Sequence, residues 1–381
     1  LSKRYWNNIS TPMGESGELL RKYNDIINFS LGDPDRTTDP IIITAAFEDT
    51  MNGHTHYTDF YGDIELREEI CLYYKSKYKF DLLTEECMIT TSGCHAMWLA
   101  LEAILDDGDE VIIHAPYFTP YPQQIKLVRG IPVILDTFEE EEFQVNAERL
   151  EGLITNRTKA IIINTPNNPT GTCFSRNTLE SIAEIAVKHD LIIISDDIYT
   201  EFSYSNPFIP IKTLKDMKDR TITIGSFSKN YAMTGWRIGY ILAPNFIVQT
   251  VKNINENNVF TAPSISQRAA LHALRNREEI QPDIVGECHK RIMYAYEKIN
   301  GIKNMSVLYP KGGIYLFVNI KKTNLTSVEV ADRIFEEAHV LTLPGNAFGE
   351  CGEGYIRLAM TVKEEKIEEA FYRISKMEIF K

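Results

Sequence analysis

The sequence predicts an α/β fold: a large domain with a mainly parallel, doubly wound sheet, and a smaller α/β domain drawn from both termini. Three observations carry that expectation. At 381 residues the chain exceeds one simple core and suggests a large unit with a smaller one beside it. From Cys87 to Leu242, short apolar runs of strand length alternate with stretches of helical pattern, the order that builds parallel sheets. Turns rich in glycine, proline or asparagine follow several of those runs, at the strand ends where open α/β sheets hold ligands. The expected division is an N-terminal arm and part of the small domain over 1–40, a large domain over 41–280, and the rest of the small domain over 281–381.

Taken in order, Asp25–Leu31 reads as a short strand ending in the turn Gly32-Asp33-Pro34-Asp35. Ile41–Gly53 reads as an amphipathic helix, and the aromatic segment His56–Gly62 opens another over Asp63–Tyr78. Cys87–Thr91 is a strand that passes through Ser92-Gly93-Cys94-His95 into a helix over Ala96–Leu105. A strand, a glycine turn and a helix start aim backbone N–H groups at one point, and the helix dipole favours an anion there. Glu110–His114 and Ile131–Leu135 are strands, and the carboxylate run Glu139–Glu142 reads as a solvated turn. Lys159–Asn164 is a strand feeding the rigid turn Thr165-Pro166-Asn167-Asn168-Pro169-Thr170-Gly171. Thr178–His189 is helical. Leu191–Ile194 is an apolar strand ending at Ser195-Asp196-Asp197-Ile198-Tyr199, where a buried carboxylate is costly unless a cation meets it. Thr221–Gly225 and Ile238–Leu242 are further buried runs. The chain from Asn245 to Arg275 is mostly helical, and Arg277–Asn300 is a long helix crossing to the smaller domain. Gly313–Ile320 and Gly354–Met360 read as strands, the second carrying Arg357 at an inward-capable position.

Composition bounds the function. With 44% hydrophobic and 24% charged residues, the chain is an ordinary globular one. Its net charge of −13 argues against nucleic acid or an anionic membrane as the main partner. No apolar run approaches the ~20 residues that span a bilayer. Leu1–Trp6 lacks the apolar core of a signal peptide, although a short leader could precede Leu1. Six cysteines scattered without CxxC spacing fit reduced thiols in the cytoplasm, and the isolated His54/His56 pair has no third ligand near it, so no metal is expected.

The chemistry centres on Thr221–Tyr240. Lys229 directly follows a buried strand, between Ser226, Ser228 and Arg237. An amine held there near other cations is partly desolvated, which lowers its pKa and frees it to attack a carbonyl. The two hydroxyls and the forked guanidinium of Arg237 suit a phosphate. A Schiff-base lysine beside a phosphate cradle implies a phosphorylated aldehyde, of which pyridoxal 5′-phosphate is the usual one.

The order S-x-S-K, seven residues, R-x-G resembles the active-site signature of the class I/II aminotransferases, fold-type I enzymes dependent on pyridoxal phosphate, and N-x-P-N-N-P-x-G resembles a second loop of that family. The resemblance spans nearly the whole chain in the expected order. It implies that Lys229 is the catalytic Schiff-base lysine, with Gly93, Cys94, His95, Ser226, Ser228 and Arg237 around the phosphate. Phe118 (or Tyr117) stacks on the pyridine ring, Asn168 and Tyr199 reach its O3′, and Asp196 keeps its nitrogen protonated. Gly32, Asn168 and Arg357 meet the substrate, Arg357 as a clamp on its carboxylate. Tyr57 reaches a neighbouring subunit's phosphate, so a homodimer with shared sites is implied. Several positions depart from the family's habit: Arg36 after the glycine turn, His95 in the cup, and Asp197 where glutamate is usual. The implied reaction moves an amino group between an L-amino acid and a 2-oxo acid. Its rivals are a C–S β-lyase on the same fold and a non-catalytic binding or regulatory protein.

Overall fold

The computed structural model describes residues 19–381 together with Gly17. The reading of Leu1–Trp6 lies outside the described residues. The described residues form twelve strands: β1 Ile27–Asn28, β2 Cys87–Thr90, β3 Glu110–Ala115, β4 Ile131–Asp136, β5 Thr158–Asn164, β6 Ile192–Asp196, β7 Thr221–Ser226, β8 Gly239–Leu242, β9 Tyr315–Asn319, β10 Val340–Leu341, β11 Leu343–Pro344 and β12 Tyr355–Ala359. Seven of them make one sheet in the order β2-β8-β7-β6-β5-β3-β4. The pairs from β7 through β4 run parallel, and β8 runs antiparallel to both β7 and β2. β5 and β6 carry isoleucine on both faces, and β7 alternates isoleucine with buried threonine, because helices cover both sides of a mostly parallel sheet. β4, at the edge, is largely exposed.

The remaining strands form two small sheets, β11-β12-β9 and β1-β10. They share a hydrophobic core with the helices Ser327–Ala338 and Glu364–Ile374 and the distal half of Arg277–Asn300. The α/β fold with a mainly parallel central sheet agrees with the sequence expectation.

Local differences have local causes. The first strand shrinks from Asp25–Leu31 to Ile27–Asn28, since only these two residues pair with β10. The helix expected from Ala96 begins at Gly93, because Ser92 caps it, its Oγ accepting from the His95 N–H at 3.3 Å. The helical stretch 245–275 divides into Asn245–Glu256 and Ser264–Arg275.

The run Glu139–Glu142 is not simply solvated. Glu139 accepts from Tyr355 Oη at 3.0 Å and from Asn319, while Glu141 pairs with Arg149 and Glu142 with Lys311. Carboxylates that looked like turn filler thus tie the loop after β4 to β9 and β12.

Candidate active site

β5, β6 and β7 end side by side, and register places Asn164 against Asp196 and Asp196 against Ile224. The turns leaving these ends, the Ser92–Gly93 cap, the segment Leu31–Asp33 and the strands β9 and β12 enclose one cavity of about 250 Å³. Of the residues expected at a site, Gly32, Gly93, Cys94, Phe118, Asn168, Asp196, Tyr199, Ser226, Ser228, Lys229, Arg237 and Arg357 line it. Distances along the chain of more than a hundred residues collapse here because parallel strands deliver their carboxyl ends to one edge.

Lys229 Nζ donates to the carbonyl of Gly32. Burial pushes its pKa down to about 8; Asp33 opposes the shift, whereas Arg357 and Arg237 add to it. Ser226 Oγ accepts from the Ser228 N–H at 3.1 Å and donates to Ser228 Oγ at 3.0 Å, holding both hydroxyls at the mouth of β7. Arg237 has φ +54° and stays exposed, its Nη1 donating to the Thr234 carbonyl at 2.8 Å. The glycine two residues on is needed for a close approach. A Cβ at Gly239 would sit 2.7 Å from Gly225 O and 2.8 Å from the carbonyl carbon of Ser92, so only glycine lets β8 pass beneath the cap.

At the other side of the cavity Asp196 is buried. Its Oδ2 accepts from Tyr121 Oη, while Oδ1 has no partner among the described residues. Burial pushes its pKa up to about 6, against the Tyr121 hydrogen bond. Behind it, Asn164 Nδ2 donates to the Asp196 carbonyl at 3.0 Å, and His114 Nε2 accepts from the Asn164 N–H at 3.1 Å. Burial lowers the His114 pKa to about 4, so the ring is neutral with its proton on Nδ1. Asp197, buried beside it, is pushed up to about 8 by desolvation and accepts from Ser195 Oγ.

Arg357 is 1% exposed. Its Nη1 donates to Asn168 Oδ1 at 3.0 Å, its Nη2 to the Ser30 carbonyl, and its guanidinium lies over the rings of Tyr315 and Phe348 at 4.6 and 5.0 Å. No carboxylate pairs with it among the described residues, and Nε has no hydrogen-bond partner. A buried cation without a counter-charge is expensive unless an anion meets it. Tyr199 and Tyr315 share a hydroxyl hydrogen bond of 3.0 Å.

Two expected residues are not at this cavity. His95 turns its ring to stack on Trp98, and its Nδ1 accepts from the Thr91 N–H at 3.3 Å. Tyr57 is 81% exposed and packs edge-to-face on Phe260. Tyr117 also lies outside, its N–H bonded to the Phe348 carbonyl, so of the two neighbouring aromatic candidates Phe118 lines the cavity.

Tyr121, Asn164 and Tyr315 are contributors that the sequence reading passed over. Asn164 closes β5 immediately before the proline turn, a position that could have been flagged. Tyr121 and Tyr315 carry no local signal, because each is defined by a partner 75 or 116 residues away. Tyr315 does explain Gly32: a Cβ there would lie 1.8 Å from the Tyr315 hydroxyl.

Among the described residues no group of three or more His, Cys, Asp or Glu side chains is placed to hold a metal ion. Nor is any described helix long and apolar enough to cross a membrane.

The profile of the family "Aminotransferase class I and II" matches residues 24–374. The chain is 38% identical to the aspartate aminotransferase of Pyrococcus abyssi over 94% of this chain and 93% of that protein. Identity is 37%, with the same coverage, to aromatic-amino-acid aminotransferase 2 of Thermococcus litoralis. Among solved structures, Thermus thermophilus aspartate aminotransferase with maleate superposes with a TM-score of 0.93, at 30% identity and 99% coverage of both chains.

Proposed function

The chain belongs to the class I and II aminotransferase family, and from that premise we propose that it binds pyridoxal 5′-phosphate at Lys229 and moves an amino group between an L-amino acid and a 2-oxo acid in this cavity. The protein is an aminotransferase, and the family depends on pyridoxal phosphate in general. The observation that carries the assignment to these residues is a desolvated lysine in the same cavity as a buried aspartate whose Oδ1 has no partner among the described residues.

The residues fit that cofactor. The partnerless Asp196 Oδ1 suits a protonated ring nitrogen, whose charge would hold the carboxylate ionised. The cap at Gly93 with Cys94, the hydroxyls of Ser226 and Ser228 and the guanidinium of Arg237 would hold the phosphate. Phe118 would lie against the ring, and Asn168 with Tyr199 would meet its hydroxyl oxygen. Bound there, pyridoxal phosphate would supply an electrophilic carbonyl and a ring that accepts electrons from the substrate's Cα.

The protein's own groups do the rest. Arg357 pairs its fork with the substrate carboxylate, with Gly32 and Asn168 beside it, and so fixes which Cα bond faces Lys229. Lys229, released from carbonyl chemistry, takes the proton from Cα at Nζ; a pKa near 8 lets the same nitrogen accept and return it near neutral pH. Phe118, Ile198 and Tyr315 give the cavity apolar walls. The division into a large domain over 41–280 and a small one from 1–40 and 281–381, and a cytoplasmic location suited to six free cysteines, belong to the same reading.

The test is a screen of single amino acids with the cofactor-loaded protein. Stoichiometric 2-oxo acid should form without an acceptor, and turnover should then require one. Release of pyruvate and ammonia from a cysteine conjugate, with no demand for an acceptor, would instead point to C–S cleavage.

A homodimer with shared sites completes the proposal. Tyr57, packed on Phe260, is exposed, and Phe47, Met51 and Phe246 are exposed apolar side chains that a second copy would cover. Tyr57→Phe should weaken cofactor binding about tenfold or more, the value of a hydrogen bond to a charged phosphate. In a heterodimer of Lys229→Ala and Tyr57→Phe chains, the site with the intact lysine receives an intact Tyr57 from its partner. Activity at limiting cofactor should recover there; no recovery in proven heterodimers would place Tyr57 within its own chain's site.

A further inference from the structure

The segment from Ser30 to Asp35 touches both halves of the site. Three consecutive carbonyls accept from side chains of two chain segments: Ser30 O from Arg357 Nη2 on β12, Leu31 O from Thr361 Oγ1 just beyond it at 2.9 Å, and Gly32 O from Lys229 Nζ after β7. Asp33 Oδ1 accepts from Thr234 Oγ1 at 2.6 Å, next to the Arg237 turn. One short strap therefore meets the lysine after β7 and the arginine on β12.

The strap's upstream end is held by the backbone: Ile27 and Asn28 pair with β10, the Phe29 N–H donates to Leu341 O at 2.8 Å, and Phe29 O accepts from the Ala359 N–H at 2.9 Å. Its downstream end is held by charge. Arg291, on the helix Arg277–Asn300, grips Asp35 with both terminal nitrogens, at 2.8 Å to Oδ1 and 3.3 Å to Oδ2. Nη2 also reaches Glu287 at 2.6 Å, so the guanidinium is fixed on its own helix. The Asp35 N–H donates to Thr361 O at 3.0 Å. The Arg291 side chain is only 9% exposed, unlike the neighbouring Arg36, which lies 3.7 Å from Glu287 and 3.9 Å from Asp283 near the surface. A forked pair with one buried member holds a geometry that exposed ion pairs do not.

We propose that Asp35 and Arg291 are positioning residues for the reaction: their forked ion pair sets the height of the Gly32 strap over Lys229 and Arg357, and so the affinity for the substrate carboxylate. Neither touches the cavity. The inference rests on the reading of Arg357 as the carboxylate clamp. Displacement of the strap moves the Ser30 carbonyl that orients the Arg357 fork, and small displacements at such a point are costly to binding.

The experiment compares Asp35→Asn, Arg291→Lys and the reversed pair Asp35→Arg/Arg291→Asp, each loaded with pyridoxal phosphate. Both single variants should raise KM for amino acid and 2-oxo acid about tenfold or more, with kcat and cofactor affinity within about threefold of the parent. Hydrogen exchange in the peptide covering 27–38 should quicken, while the helix Ser264–Arg275 stays protected. The reversed pair should recover part of the KM, an outcome that loss of stability alone would not produce. KM within about twofold of the parent in both single variants, or unchanged exchange in 27–38, overturns the proposal. If Asp35→Asn does not fold, Arg291→Lys, which keeps the charge and loses only the fork, decides it. Arg357→Lys run alongside separates the two failures. A KM insensitive to that change would sink the clamp reading, while the exchange result would still decide whether the pair holds the strap.

Discussion

Replacing Lys229 with Ala should lower kcat by about ten-thousandfold or more, the upper range for a positioned proton-transfer group, while the protein still folds and still binds pyridoxal phosphate through its phosphate. The lysine makes one hydrogen bond to the Gly32 carbonyl and sits in a cavity, so its removal leaves no buried acceptor that water cannot reach. Borohydride treatment of the parent, followed by peptide mapping, should place the reduced label on Lys229 alone. A label on another lysine, such as the buried Lys212, would remove Lys229 from the chemistry. The pH dependence has a definite sign. The amine reacts only when neutral, and burial brings its pKa to about 8. Capture of the cofactor by the free protein should therefore speed up ~50-fold from pH 6 to pH 8 and level off above, whereas an ordinary lysine with a pKa near 10.4 would keep accelerating past pH 10. A rate still climbing steeply at pH 10 would show that Lys229 is solvated.

Arg357→Lys is expected to have the second largest effect, and on a different constant. Lysine keeps the charge but loses the planar fork that reaches Asn168 and Ser30 together and lies over Tyr315 and Phe348. The loss of a buried bidentate partner costs about 2–4 kcal/mol, so KM for amino acid and 2-oxo acid should rise about thirty- to a thousandfold. The absorbance and affinity of the bound cofactor should change far less than KM, because Arg357 reaches the cofactor-binding groups only indirectly, through its bond to Asn168 and its charge near Lys229. A shifted spectrum with unchanged KM would assign Arg357 to the cofactor instead.

The sequence by itself determined the fold class and the chemically loaded turns. Runs such as IIIN and IIISD are apolar on both faces, as the strands of a helix-covered parallel sheet are, TITIGS alternates isoleucine with threonine, and each ends in residues that turn sharply or carry charge. Lys229 and Asp196 were legible for that reason, since the strand and the charged group are adjacent in the chain, whereas Asn168, in the turn beyond β5, was singled out by resemblance. Arg357 was legible only by resemblance, since an arginine in a strand is usually at the surface. What the tertiary structure decided is the set of partners. Tyr121 became the donor to Asp196, Asn164 the brace behind it, and Tyr315 the reason Gly32 must be glycine. Glu139 turned from solvated filler into a tie to Tyr355 and Asn319, His95 turned away to Trp98, and Asp35 found Arg291 across 256 positions. Periodicity and turn chemistry report on neighbours within a few residues. Hydrogen bonds between elements that meet only when the sheet closes leave no such trace, and these bonds set the charge and position of every group in the cavity.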